Sequence, residues 1–146
     1  MDAESTSPFI PRLEDAFNRV VRHMASANLS NQTVAPGPIL SGSQRIVLRA
    51  LVNDGACQVS EVANHLGVTL SAATGLVDRL VKAKLVTRDR DLKDRRVVWV
   101  KVTPDGEEAV KAAEARRRAA LQGMVRNLSE QDLADLCQIL EKIGMP

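Results

Sequence analysis

At 146 residues, 45% apolar and 26% charged, the chain has the size and composition of a single globular domain and is too apolar to stay disordered. Its net charge of +2 is unevenly spread: residues 41–103 hold eleven basic and six acidic side chains, residues 1–40 three and four, and residues 104–146 six and eight, so a basic middle between mildly acidic ends points to a polyanionic partner. No apolar run approaches the roughly 20 residues of a membrane span, and Met1-Asp2-Ala3-Glu4-Ser5 lacks the basic flank and apolar stretch of a signal peptide; no membrane contact and a cytoplasmic location are expected.

The first ten residues, up to Pro11, hold Ser, Thr and proline and are expected to form a loose arm. From Arg12, the positions Leu13, Ala16, Phe17, Val20 and Met24 recur at helical spacing and predict an amphipathic helix to about Ala27. Asn28 to Pro38 has loop composition. Ser41-Gly42-Ser43-Gln44 is a capping box, in which the serine hydroxyl accepts from the backbone N–H three residues on and the glutamine reaches back. The helix it opens carries Ile46, Val47, Ala50 and Leu51 and stops at Asn53-Asp54-Gly55.

Ser60 is expected to start a short helix, Glu61 to Leu66, closed by Gly67, a residue suited to a left-handed cap. Thr69 caps the next helix, whose inward face is Ala73, Leu76, Val77 and Leu80. Two helices joined by so short a turn at a glycine make a helix-turn-helix. At Lys84 the period changes. Leu85 to Arg88 and Val97 to Val102 are β-rich runs, joined by the charged stretch Asp89 to Arg96, which is expected to project as a flexible tip. Thr103-Pro104 opens a long helix to about Arg126, with Ala109, Val110, Ala113, Ala120, Leu121, Met124 and Val125 apolar. Ser129 caps the last helix, striped by Leu133, Leu136, Cys137, Leu140 and Ile143.

The expected fold is therefore mainly α with a small β-hairpin wing (α+β): a winged helix-turn-helix at 41–103, an arm and first dimerisation helix at 1–40, and C-terminal dimerisation helices at 104–146. The striped end helices have little sheet to cover, so their simplest burial partner is a second copy. Leu13, Phe17, Val20, Leu133, Leu136, Cys137 and Leu140 are the expected homodimer contacts.

Enzyme chemistry finds no support. No GxGxxG, GxxxxGK[ST], GxSxG or HExxH occurs, and two cysteines about eighty residues apart (Cys57 and Cys137) with two histidines (His23 and His65) offer neither a disulfide framework nor a metal knuckle. No metal and no cofactor are expected. Two Phe, one Trp and no Tyr exclude a platform that stacks single-stranded bases. Duplex DNA is left as the expected partner. The second helix of a helix-turn-helix enters the major groove by its N-terminal residues, here Thr69, Ser71, Ala72, Thr74 and Gly75, with Arg79 one turn on as the long donor. These small residues allow close approach and hydrogen bonds to phosphate but no bidentate reading of guanine in the first turn. The wing adds Arg88, Arg90, Lys93, Arg95 and Arg96, which suit a narrow, negative minor groove. Arg95 is the expected groove-reaching residue, with Asp91 or Asp94 bracing an arginine.

The segments Leu40-Ser41-Gly42-Ser43-Gln44-Arg45-Ile46-Val47-Leu48, Thr74-Gly75-Leu76-Val77-Asp78-Arg79-Leu80 and Asp94 through Thr103, together with the closing helix Ser129 to Ile143, resemble in order those of the MarR (multiple antibiotic resistance regulator) family of winged-helix repressors. The resemblance runs from about Arg12 to Met145. It implies a homodimer on a pseudo-palindromic operator, repression of nearby genes, and release by a small aromatic or phenolic effector. Three positions depart from the family pattern: Val102 stands where leucine is usual, Gly75 where many members carry arginine, and Lys84 where glycine is common, the last costing up to about 1 kcal/mol if left-handed. Peroxide-sensing relatives carry a reactive cysteine in the first helix, which is absent between Arg12 and Asn28. Cys137 is expected in the core, and Cys57, in a turn, is the better redox candidate. His23 is expected at a surface or interface, or lining an effector pocket. The alternative from another class is a winged-helix protein-interaction module without DNA binding, which would have no reason to keep an arginine-rich wing.

Overall fold

The computed structural model describes residues 7–30 and 34–143, with side chains described outside 27–30. Six helices and three strands follow in the order α1 (Ile10–Ser30), α2 (Gly42–Asp54), β1 (Cys57–Gln58), α3 (Val59–Leu66), α4 (Leu70–Lys82), β2 (Val86–Arg90), β3 (Val98–Val102), α5 (Pro104–Val125) and α6 (Glu130–Lys142). By its contacts the chain divides into two compact units: residues 32–115, and residues 1–31 with 116–146.

In the first of these units, local chemistry sets the helix ends. Ser41 Oγ accepts from Gln44 N–H at 3.2 Å while Gln44 Oε1 accepts from Ser41 N–H at 2.9 Å, the reciprocal box that fixes the start of α2. Glu61 accepts from Gln58 N–H at 2.6 Å, so α3 begins at Val59 rather than Ser60. Gly67 closes α3 at φ 62°, and Val68 N–H reaches back to Ala63 C=O at 3.1 Å. Thr69 Oγ1 accepts from Ala72 N–H at 3.2 Å and starts α4, whose inner face is buried as expected at Ala73, Leu76, Val77 and Leu80. These four pack with Leu48, Leu51, Val62, Leu85, Val86, Val100, Ala109 and Val110 into one core.

A third strand joins the expected two. The sheet order is β1-β3-β2, all antiparallel, with Cys57 opposite Val100 and Arg88 opposite the same valine on the other side. Cys57 thus sits in a strand, not a turn. Side chains alternate across a strand, so Val86, Arg88 and Arg90 share the face of the buried Val100, while Asp89, Trp99 and Lys101 share the other.

Thr103 locks the sheet to α5. Its hydroxyl donates to Lys84 C=O at 2.7 Å and accepts from Gly106 N–H at 3.0 Å, and its N–H donates to Leu85 C=O at 3.0 Å. The approach is close enough that a Cβ on the buried Gly106 would overlap the Leu85 carbonyl oxygen and come within 2.7 Å of a Val102 methyl.

The second unit is made of α1, the latter part of α5 and α6. Its first helix starts earlier than the apolar pattern implies: Ile10 and Pro11 are helical, because proline needs no partner for a missing N–H in the first turn. The rest of the expected loose arm, residues 1–6, and part of the expected loop, residues 31–33, lie outside the described residues. Ser129 and Asp132 cap α6 by another reciprocal box, yet none of its side chains is buried. Arg116 of α5 is the one buried charged side chain among the described residues, and among them no buried side-chain nitrogen or oxygen lacks a partner.

Candidate nucleic-acid interface

Capping leaves the start of α4 open to solvent. Thr69, Ser71, Ala72, Thr74 and Arg79 are exposed and Gly75 half-buried. The Thr74 hydroxyl donates to Leu70 C=O at 2.8 Å, so it faces a partner as acceptor, while Ser71 keeps its donor for an outside group. A Cβ on Gly75 would meet Arg79 Nη1 at 3.8 Å, which places that guanidinium along the helix beside residue 75. The glycine leaves a shallow place where the backbone itself can approach a partner.

The wing tip, expected as a flexible loop, is laced by its own carboxylates. Asp91 Oδ1 accepts from Lys93 N–H at 2.8 Å and Asp94 N–H at 3.0 Å, and Oδ2 accepts from the Trp99 indole N–H at 3.0 Å. Asp94 accepts from Arg96 N–H at 3.0 Å, and Asp91 N–H closes the turn on Val97 C=O at 2.9 Å. Asp91 or Asp94 is expected to brace an arginine side chain; here both instead hold backbone N–H groups of the tip, and Asp91 also the Trp99 indole. The Asp94 N–H, then the Trp99 indole and the Lys93 N–H, hold the Asp91 carboxyl below its ordinary pKa, so it stays ionised and the brace is intact at neutral pH.

The basic residues of the wing fall into two groups. Arg88 turns to α4, with Nη1 at 2.6 Å from Asp78 Oδ1 and Nη2 donating to Thr74 C=O at 3.3 Å. Lys101 pairs with Asp89 at 3.0 Å on the other face. Arg90, Lys93, Arg95 and Arg96 are exposed and make no ion pair among the described residues. Strand alternation sends Arg88 and Arg90 towards α4, a placement that sequence counting of cations misses. Together with Val59, Thr74 and Val98 they line a hollow of about 340 Å³.

Other sequence candidates resolve as follows. Burial, then the carboxylates of Glu61 and Asp54, push the Cys57 thiol above its ordinary pKa, which works against a reactive thiolate. Cys137, expected in the core, is exposed on α6. Leu13, Phe17, Val20, Leu136 and Leu140 are exposed in this single chain, Phe17 by 66%, and Leu133 is half-buried. His23 lines a hollow of about 490 Å³ with Arg19 and Arg126. Among the described residues no cluster of His, Cys, Asp or Glu could hold a metal ion, and no helix is long and apolar enough to cross a membrane.

A capped helix with a bare N-terminal face, beside a hairpin tipped with four unpaired cations, defines a winged-helix DNA-binding protein. Comparison with known proteins gives the family. The model of the MarR family matches residues 40–98. The multiple antibiotic resistance protein MarR of Salmonella typhimurium is 32% identical, over 88% of this chain and 95% of that protein. The HTH-type transcriptional repressor MdtR of Bacillus subtilis is 29% identical over 90% and 81%. Among solved structures, BpsR of Bordetella bronchiseptica, described in a study of the regulation of its DNA binding by 6-hydroxynicotinic acid, superposes with a TM-score of 0.64 at 25% identity, covering 98% of this chain and 97% of that one. The chain belongs to the MarR family: it is a DNA-binding transcriptional regulator, not an enzyme.

Proposed function

We propose that this regulator acts in the cytoplasm as a homodimeric repressor on a pseudo-palindromic operator, with α4 in the major groove and the wing in the adjacent minor groove. Thr69, Ser71, Ala72, Thr74, Gly75 and Arg79 meet the major groove and its phosphates, and Arg90, Lys93, Arg95 and Arg96 meet the minor groove and its walls. Arg88 holds α4 to β2 through Asp78, so helix and wing approach DNA as one body. The observation that carries this reading is the braced tip with four cations left without acidic partners. Repression is supported by the likeness to MdtR. Dimerisation is supported by the apolar stripe on α1 and α6, which a single chain leaves in water.

Release by a small aromatic acid is supported by the BpsR description. The hollow of Arg88, Arg90, Thr74, Val59 and Val98 has matching chemistry, two guanidinium groups beside the apolar side chains of Val59 and Val98. A larger hollow of about 660 Å³ carries Asp105 and Glu108 and suits an anion less well. An aromatic acid in the smaller hollow competes with Asp78 for Arg88 and loosens the wing from the helix.

The test is selection of bound duplexes from a random pool, followed by titration of the selected duplex at several salt concentrations. Each phosphate contact contributes about −0.9 to the log–log slope. A steep slope and a two-fold symmetric consensus are expected. A flat response, or no duplex bound at low salt, would replace this reading with a protein-interaction module.

A further inference from the structure

Leu92 stands out at the wing tip. At 101% relative exposure it is the most exposed large apolar side chain among the described residues, where Phe17, the next, reaches 66%. A lone exposed leucine is ordinary on a protein surface. This one differs in two ways. It is the only apolar residue between Asp91 and Arg96, and the turn that carries it is pinned on both sides: Asp91 Oδ1 holds the N–H groups of Lys93 and Asp94, and Asp91 Oδ2 is anchored on Trp99. The backbone of the turn is therefore held in place, and it presents the Leu92 side chain to solvent in the same tip as Lys93, Arg95 and Arg96.

We propose that Leu92 is a specificity-determining residue that enters the minor groove with these cations and disfavours G·C base pairs where it lands. The proposal rests on the wing reading above and adds a base preference to it. The floor of the minor groove shows only acceptors at A·T and T·A pairs, and the guanine 2-amino donor at G·C pairs. An isobutyl group offers that donor no acceptor and strips its water, leaving it unsatisfied. At an A·T pair the same group meets adenine C2–H and the apolar edges of the deoxyribose walls. The arginines beside it supply attraction to either sequence, so the leucine supplies the difference.

The experiment uses the full-length protein and the duplex recovered by selection, with the base pair under the wing made A·T, G·C or inosine·cytosine. Inosine keeps the major-groove edge of guanine and lacks only the 2-amino group. The wild-type protein is expected to bind A·T and inosine·cytosine alike and G·C about tenfold more weakly, the scale of one lost hydrogen-bonding partner. Leu92→Ala is expected to bring the three affinities within about twofold while leaving the salt slope unchanged, because no charge is lost. Leu92→Asn, whose side-chain carbonyl accepts from the 2-amino group, is expected to favour G·C. Arg95→Ala, as the comparison, lowers affinity and slope on all three duplexes but keeps the ratio. Leu92 carries no fold contact, so unchanged Trp99 emission checks each variant. A ratio that persists in Leu92→Ala, or that collapses in Arg95→Ala instead, overturns the assignment and credits groove width or arginine. Equal wild-type binding to all three duplexes overturns it as well. Wild-type protein that binds no duplex removes the wing reading, and this inference with it.

Discussion

The two units of the chain differ in where their apolar side chains end up. In residues 32–115 the helices and the sheet close over one core, with Leu48, Val77, Leu80 and Val100 fully buried. In residues 1–31 with 116–146, α6 buries nothing, and Leu13, Phe17, Leu136, Ile139 and Leu140 face water. Both units use the same capping chemistry, at Ser41 with Gln44 and at Ser129 with Asp132. Helix formation is thus equally well specified in the two, and completion is not. One unit is finished by its own chain; the other leaves an apolar surface in water, which the proposed dimer would cover.

The largest effect is expected inside the finished unit. Gly106→Ala pushes a methyl into the Leu85 carbonyl and the Val102 methyl, at a place where Thr103 already ties Lys84, Leu85 and Gly106 together. Backbone cannot swing aside as a flexible side chain does, so a loss of about 3 kcal/mol or more is expected. Urea unfolding followed by Trp99 emission reads it; a variant as stable as the wild type means that the start of α5 has room to shift.

The unfinished unit should respond differently. Leu136→Asp puts a carboxylate into the proposed dimer surface, where it loses water without gaining a partner. Dimer dissociation is expected to strengthen roughly a hundredfold, with operator binding falling alongside and the monomer keeping its helical content. Light scattering coupled to size-exclusion chromatography checks this. A dimer that persists at micromolar concentration puts the interface elsewhere.

A third contrast lies within the wing. Arg95→Ala is expected to weaken operator binding by roughly 1–3 kcal/mol and to reduce the salt slope by about 0.9 for each contact removed. Arg88→Ala removes a partly exposed ion pair to Asp78 and costs about 0.5–1 kcal/mol of stability, with the slope unchanged. If the two variants lower the slope alike, Arg88 also meets phosphate and the division of labour in the wing is wrong.

These contrasts were unequally visible in the sequence. The caps of α2, α4 and α6, the buried face of α4 and the two long strands follow from local spacing, and all stand where spacing put them, to within a residue or two. The strand β1 does not, because two residues show no alternation and exist as a strand only through Val100 and Trp99 of β3. Gly106 gave no signal either, since its requirement comes from a backbone twenty-one residues away. At the candidate site, the arginines were countable but their partners were not: Asp78 lies ten residues from Arg88, and the strand register, which no composition reveals, decides that they meet. Cys137 shows the opposite error. Its apolar stripe was legible, but a stripe does not say whether its own chain or another covers it.

The smallest effect is a gain. Lys84 follows α4 at φ 60°, the one non-glycine residue with positive φ among those described. Its N–H donates to Val81 C=O at 2.9 Å and the next N–H, of Leu85, to Leu80 C=O at 3.0 Å, the paired bonds that end a helix on a left-handed residue. The Lys84 carbonyl accepts from Thr103, so backbone bonds on both sides hold the strained conformation in place. None of these bonds needs the lysine side chain, which is exposed. Lys84→Gly keeps them all and removes the Cβ penalty, partly offset by the freedom glycine gains in the unfolded chain. A net gain of about 0.5–1 kcal/mol is expected. Lys84→Ala removes the same charge and keeps the penalty, so it should gain nothing. The difference between the two variants in urea midpoint isolates strain from charge, and it belongs to the finished unit alone: the dimer dissociation constant should be the same in both. Equal midpoints would mean that the fold holds this residue left-handed at no cost, and that the departure from glycine is neutral here.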